Sequence, residues 1–408
     1  MPGEDENHPT QEPRRILLTN LTLATRTGTE TSTRDLALEF LRRGHQVAIF
    51  TPDPGPLADE LAQAGVPVLA DLNQLTEPPD LIHGHHNLPL LAALVRFPEA
   101  PAIYTCHDAQ SWFDRAPLLP QIRRYAAVGG HTRDRLLADG VPAERVLLML
   151  NFVDLARFPV RAPLPVRPQR ALVFANQARE DTYLPAVRAA CAAEGLALEV
   201  MGEGVGQAEA DPGRRLGGFD VVFAKGKAAM EAMAVGCAAV LCDIEGLGPL
   251  VTSRNLDTLR PLNFGRPTMP DPVTADAVRA RLRDYDAEDA RRTSERIRAE
   301  ASLTRAADLW CALHARVLAE HRAAPVSPAE ARQAAAAGLG ALSAYLYRYV
   351  HQTAYTASLR WLKPYQDTAL DLARLRERTQ WCGLGRLFRA VGRLGARLRP
   401  RSRPPSQD

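Results

Sequence analysis

Alternating strand and helix segments predict an α/β protein of two doubly wound, parallel-sheet domains facing one another, followed by a helical tail. Three observations carry that prediction. The stretch from Phe219 to Asp243 reads as a complete βαβ unit: an apolar run (Val221, Val222, Phe223, Ala224), a tight turn at Lys225-Gly226, a helix from Lys227 to Ala234, and a second apolar run from Ala238 to Cys242 after Gly236. The same alternation runs through the chain upstream of it. Finally, 408 residues are too many for one compact core.

In chain order, Arg15-Ile-Leu-Leu-Thr-Asn20 reads as the first strand and Thr31 to Arg43 as the body of the first helix, ended by Gly44. Ahead of that body, Thr27-Gly-Thr-Glu30 fits a capping box, with Thr27 at the N-cap and Glu30 reaching back to its amide. Gly28 would leave this helix end open to a ligand. A strand at Gln46–Phe50, a helix from Pro56 to Ala64 and a short strand from Val66 to Leu69 follow. Asp80-Leu-Ile-His-Gly-His-His86 looks like a strand running into a loop. Its histidines invite a metal, but positions on a strand end alternate between faces and no Cys or Glu follows at ligand spacing, so no metal is assigned. Pro101–Asp108 is a further buried strand that delivers His107 to its C-terminal end, where ligands of open α/β sheets sit. A capping or core histidine is the alternative. Ala126–Gly129, a helix from Thr132 to Asp139 and a strand from Arg145 to Asn151 complete the first domain.

A Pro-rich joint, Pro159–Pro168, leads to the second domain, whose first strand is Ala171–Asn176. A polar loop with Gln177, Arg179, Glu180 and Asp181, a helix, and the strand Leu196–Met201 precede the βαβ unit. In that unit Gly226 lets backbone approach a ligand, and the helix behind it presents free N–H groups and a partial positive charge to an anion. Glu231, one turn on, is placed to accept hydrogen bonds from sugar hydroxyls. Lys227 and Glu231 also read as an ordinary i,i+4 surface pair. Asp243-Ile-Glu-Gly-Leu-Gly-Pro249 reads as a second glycine loop, with Gly246 and Gly248 facing the ligand. Asp276–Arg283 and Ala287–Ala324 read as helices. The expected boundaries are a disordered start over 1–14, domains over 15–163 and 164–325, and a helical, basic, aromatic-rich tail over 326–408.

Composition narrows the function. A net charge of +3 is too mild for a nucleic-acid partner, and six cysteines without close-spaced pairs read as reduced thiols of a cytoplasmic protein. No apolar run is long enough to span a bilayer. In the tail, Trp381, Leu384, Leu387, Phe388, Val391, Leu394 and Leu398 fall on one helical face with Arg386, Arg389, Arg393 and Arg397 opposite. Residues 381–403 therefore read as a basic amphipathic helix for an anionic membrane surface, placing the protein at the inner face of the cell membrane. Docking on its own core or on a partner is the alternative.

From about Ile16 to Glu320 the chain resembles the GT-B-fold glycosyltransferases, two facing Rossmann-like domains, and most closely family 4. The residues that carry this are Thr27-Gly28-Thr29-Glu30 (Gly-Gly-x-Glu loop), Pro79–His86, Tyr104-Thr-Cys-His-Asp108, Leu150–Phe158, and Gly226 with Met230-Glu-Ala-Met-Ala-Val-Gly236. The resemblance implies a retaining enzyme that moves a sugar from a nucleotide-diphosphate donor to a saccharide, envelope or lipid-linked acceptor, with no metal or other cofactor. It implies that Glu231 holds the ribose, that His107 lies near the donor sugar and that Gly28 meets the diphosphate. Phe223 stands where the family has its first acid, and the lysine that follows the second domain's first strand is missing. Arg179, Lys225 and Lys227 are expected to supply the positive charge instead. A non-catalytic nucleotide-sugar-binding scaffold and a sugar-nucleotide epimerase remain as alternatives.

Overall fold

The computed structural model describes residues 12–206, 211–345 and 347–348. Seven strands form the first sheet: β1 (Arg15–Thr19), β2 (Gln46–Phe50), β3 (Val68–Leu69), β4 (Leu81–His85), β5 (Ala102–Cys106), β6 (Ile122–Ala127) and β7 (Val146–Leu148). They lie in the order β3-β2-β1-β4-β5-β6-β7, every pairing parallel. The second sheet holds β8 (Arg170–Phe174), β9 (Ala197–Met201), β10 (Val221–Ala224), β11 (Ala238–Asp243) and β12 (Gly246–Leu250), in the order β12-β11-β10-β8-β9.

Buried parallel strands carry apolar side chains on both faces because helices cover both. β10 shows it: Val222 and Ala224 enter one core with Met230 and Met233, while Val221 and Phe223 enter the other with Val173 and Val240. Phe223 is fully buried in mid-strand, so position 223 is a core position and presents nothing to a ligand. β8 pairs directly with β9 and β10, and between Gly206 and Val221 the described residues add only a short helix, Pro212–Leu216. The brevity of that segment in the sequence thus corresponds to a small second sheet.

Three expectations change. The stretch 287–324 is two helices, Ala287–Glu300 and Leu303–Ala323, broken where Val153 donates to the Ala301 carbonyl and accepts from Leu303. The second of these helices packs Ala307, Trp310, Cys311 and Val317 into the core of the first domain, beside Leu36 and Phe40. The domain expected to run over 164–325 therefore ends near 302, and the chain returns to cover the sheet it started from. The third change concerns Gly246 and Gly248: they lie in β12, antiparallel to β11, and not in a ligand loop. A Cβ at Gly248 would sit 2.3 Å from the Thr268 carbonyl, and one at Gly246 2.4 Å from that of Met269, so both glycines serve close backbone packing.

Residues 328–345 are helical; those beyond 338 belong to a separate compact unit. No described helix is long and apolar enough to cross a membrane. The basic amphipathic stretch 381–403 lies outside the described residues.

Candidate active site

Two helix N-termini meet in the cleft between the sheets. From the first domain comes the helix Gly28–Arg42, with Thr27 extended at its N-cap. No side-chain oxygen of Thr27 accepts from the helix; its hydroxyl donates to the Glu30 carboxylate. The capping box expected there is thus replaced by a side-chain pair, and the amides of the first turn stay available. From the second domain comes the helix Gly226–Val235, likewise without a side-chain cap. A Cβ built on Gly28 would lie 3.9 Å from the Lys227 Cβ, so the two helix starts nearly touch. Each end carries a partial positive charge and unpaired N–H groups, and together they favour an anion. The cleft they share has a volume of ≈ 610 Å³ and is lined, among others, by Gly28, Arg34, His107, Lys225, Gly226, Lys227 and Glu231.

Gly226 adopts φ +57°, a left-handed conformation that glycine reaches without strain. Its N–H donates at 3.0 Å to the carbonyl of Phe264, which with Asn263 forms two consecutive left-handed residues. Such a conformation is costly for a buried phenylalanine and is held by its surroundings. Asn263 also accepts from the Asn151 side chain at 3.1 Å, a bond across the cleft. Nothing in the sequence singled out Asn263; an Asn ahead of Phe-Gly was the available signal.

Glu231 lies in the cleft, 8% exposed. Its carboxylate makes no hydrogen bond or ion pair with another described residue, and burial pushes its pKa up to about 7 even though Lys227 works against the shift. A buried acceptor without a protein donor is what hydroxyl groups of a ligand would satisfy.

The expected cations are mostly engaged. Lys227 Nζ lies 2.9 Å from Asp35 Oδ2, 3.3 Å from Ser32 Oγ and 4.9 Å above the Phe152 ring. Asp35 in turn accepts from Arg34 Nε at 2.9 Å. Lys227 is thereby a strut between the domains. Lys225 sits between Asp243 Oδ2 at 2.8 Å and Glu245 Oε2 at 2.7 Å. Burial disfavours its charge, but the two carboxylates outweigh burial and raise its pKa. Arg179 is exposed, bonds Asp181 at 2.9 Å and does not line the cleft, which takes Asn176 and Gln177 from the same loop. Arg34, unremarked in the sequence, does line it and is 1% exposed.

His107 stands at the end of β5 and lines the cleft. Its backbone N–H donates to Asp114 Oδ1 at 2.8 Å, and its ring meets that of His85 at 2.7 Å between Nε2 and Nδ1. Burial drives both imidazoles well below the ordinary range. The same effect holds Asp114 up at about 7. The histidines of β4 correct the reading of their faces: His83 and His85 are two residues apart, share a face and stack at 4.9 Å. Among the described residues no group of three or more His, Cys, Asp or Glu is arranged to hold a metal.

Residues 26–157 match the family model described as Glycosyltransferase Family 4, so the chain carries a glycosyltransferase domain over that span. Among solved structures it is similar to a glycosyltransferase from Rickettsia africae, at 13% identity and a TM-score of 0.53 over 75% of this chain and 99% of that one. It is also similar to the Anabaena protein HepE in complex with UDP and glucose, at 13% identity and a TM-score of 0.54 over 74% of this chain and 99% of that one. A sucrose-phosphate synthase from Thermosynechococcus elongatus aligns at 15% identity and a TM-score of 0.51, over 75% of this chain and 100% of that one. At such identities the likeness shows the fold, and the fold is GT-B. No curated protein sequence matches the chain.

Proposed function

We propose that the protein transfers a sugar, with retention, from a nucleotide-diphosphate donor to a saccharide, envelope or lipid-linked acceptor. The convergence of two uncapped helix N-termini on one cleft, with the unpartnered Glu231 carboxylate one turn behind, carries this reading. The diphosphate would lie on the amides around Gly28 and Gly226, which stabilise charge developing on the leaving group without reorganising. The ribose hydroxyls would donate to Glu231, and His107 would face the sugar. The HepE structure, with UDP and glucose bound on the same fold, supports a nucleotide-sugar donor. The pairing of Lys225 and Lys227 with carboxylates favours binding that relies on backbone amides more than on free cations.

Titrating the purified chain with UDP, GDP and ADP and their glucose conjugates, with Glu231→Gln alongside, tests this. The expected outcome is micromolar binding of one nucleotide series, a loss of about tenfold in the variant for one hydrogen bond to a charged acceptor, and slow donor hydrolysis with retained anomeric configuration by NMR. Binding without turnover in the presence of a cell-envelope extract would identify a scaffold, and an isomerised nucleotide-sugar an epimerase. Residues 381–403 are proposed to hold the protein at an anionic membrane. Deleting 381–408 is expected to abolish co-sedimentation with phosphatidylglycerol vesicles, and unchanged sedimentation would refute it.

A further inference from the structure

We propose that His85 is a positioning residue: its Nδ1–H donates to His107 Nε2 and so fixes His107 as the neutral tautomer whose Nδ1–H faces the ligand in the cleft. The inference rests on the cleft's taking an oxygen-rich ligand, as the proposed function has it.

The geometry decides which proton goes where. Last in β4, His85 is 1% exposed, and its Nδ1 lies 2.7 Å from His107 Nε2. Its other nitrogen, Nε2, is buried and has no partner. His83, stacked against it, cannot help, because its Nε2 meets Thr105 Oγ1 at 3.2 Å and its Nδ1 meets His314 Nε2 at 3.3 Å. A neutral imidazole has one N–H, and a buried donor without an acceptor is rarer than a buried lone pair left alone. The proton of His85 therefore sits on Nδ1 and points at His107. His107 Nε2 must then accept, which puts its own proton on Nδ1. No described residue bonds that nitrogen, and His107 lines the cleft. Asp114, holding the His107 amide at 2.8 Å, fixes the backbone as His85 fixes the ring.

The consequence is chemical. Held this way, His107 offers the cleft a neutral N–H donor that stabilises a hydroxyl or phosphate oxygen, and its one lone pair is taken up by His85 and not available as a base. No bond is made or broken by His107, and its donor role does not depend on a charge that burial resists.

The test uses the full chain labelled with nitrogen-15 at histidine, the His107 signals being assigned by their loss in His107→Gln. Long-range proton–nitrogen correlation spectra are expected to show His107 protonated at Nδ1 without any substrate present. His85→Asn, whose amide can donate from near the Nδ1 position, should keep that tautomer and turn over donor within about threefold of the parent. His85→Gln and His85→Leu should shift His107 toward Nε2–H and lower kcat about tenfold or more, with the donor KM little changed, as loss of an oriented hydrogen bond predicts. A parent spectrum with Nε2–H, or His85→Gln leaving tautomer and kcat unchanged, overturns the proposal. Because the tautomer is read without substrate, a chain that shows Nδ1–H yet turns over no nucleotide-sugar retains the positioning role and loses the transferase reading.

Discussion

Replacing Lys227 by methionine removes the cation that joins the two domains behind the cleft. Its Nζ, 6% exposed, pairs with Asp35 Oδ2 at 2.9 Å, and Asp35 is 3% exposed. Breaking a buried pair from one side typically costs about 3–5 kcal/mol, because the other charge is left unpaired. Here Asp35 keeps Arg34 Nε at 2.9 Å, so the loss is expected at the lower edge or below, about 2–3 kcal/mol. Asp35→Asn leaves Lys227 the Ser32 hydroxyl at 3.3 Å and the Phe152 ring, and about 2 kcal/mol is expected. The double variant separates the pair from its surroundings: a coupling of about 1–2 kcal/mol in urea unfolding, little changed by added salt, is the expected result. Single changes that add to within about 0.5 kcal/mol would refute the strut. Nucleotide titration on the same proteins separates a strut from a phosphate ligand. A direct phosphate contact would weaken binding steeply and in a salt-dependent way, even where stability hardly changes.

Three further outcomes follow from the same geometry. Gly248→Ala, whose Cβ would come 2.3 Å from the Thr268 carbonyl, is expected to lower unfolding free energy by about 2–3 kcal/mol while the folded fraction binds nucleotide like the parent. Gly226→Ala, unfavourable at φ +57° but with only the Asn263 carbonyl near at 3.9 Å, is expected to cost about 1–2 kcal/mol and to weaken nucleotide binding; calorimetric titration and urea melts distinguish the two. For Glu231 the sign runs against the usual carboxylate. Its folded pKa of about 7 exceeds the ordinary 4.5, so the folded chain binds the extra proton, and stability present below pH 4.5 is lost as pH rises through 7. At about 1.4 kcal/mol per tenfold change in proton affinity, that loss is about 3–4 kcal/mol. Glu231→Gln should remove this part of the fall, leaving the fall, at least as large, that Asp114, raised from 3.8 to about 7, contributes in the same window. An unchanged slope between pH 5 and 7 would place the Glu231 carboxylate in water.

The two parallel sheets and the cleft were largely legible in the residues because they are written locally. Apolar runs of four to six residues can be buried on both faces only in a covered parallel sheet, and glycine at a strand-to-helix turn marks where backbone must come close. On that basis Gly28, His107, Gly226 and Glu231 were placed at one site from separate segments, and the structure brings them together around the cleft. What local pattern could not give was partnership. Lys225 and Lys227 look identical in the sequence, yet one meets Asp243 in its own domain and the other Asp35 in the opposite one. The same limit explains Gly246 and Gly248. A glycine needed because a distant carbonyl comes within 3 Å is indistinguishable, read along the chain, from one needed by a ligand.

Partnership also explains why the second half of the chain ends inside the first. The helix Leu303–Ala323 buries Trp310 and Cys311 in the first domain's core, and Trp310 packs its ring 4.3 Å from that of His83. His314 of the same helix fills the remaining nitrogen of His83 at 3.3 Å. With His83 satisfied from both sides, its stacked neighbour His85 has no inward partner and turns its proton outward to His107. The returning helix therefore engages His83, and the hydrogen that faces the cleft is set beside it, by the His85–His107 pair. His314→Leu would free His83 Nδ1 without touching His85. Because the His85–His107 pair fixes the tautomer, that substitution leaves it in place while lowering stability by about 1–2 kcal/mol for the lost buried hydrogen bond. A change in the His107 spectrum in this variant would mean that the tautomer depends on His314 and not on the His85–His107 pair alone.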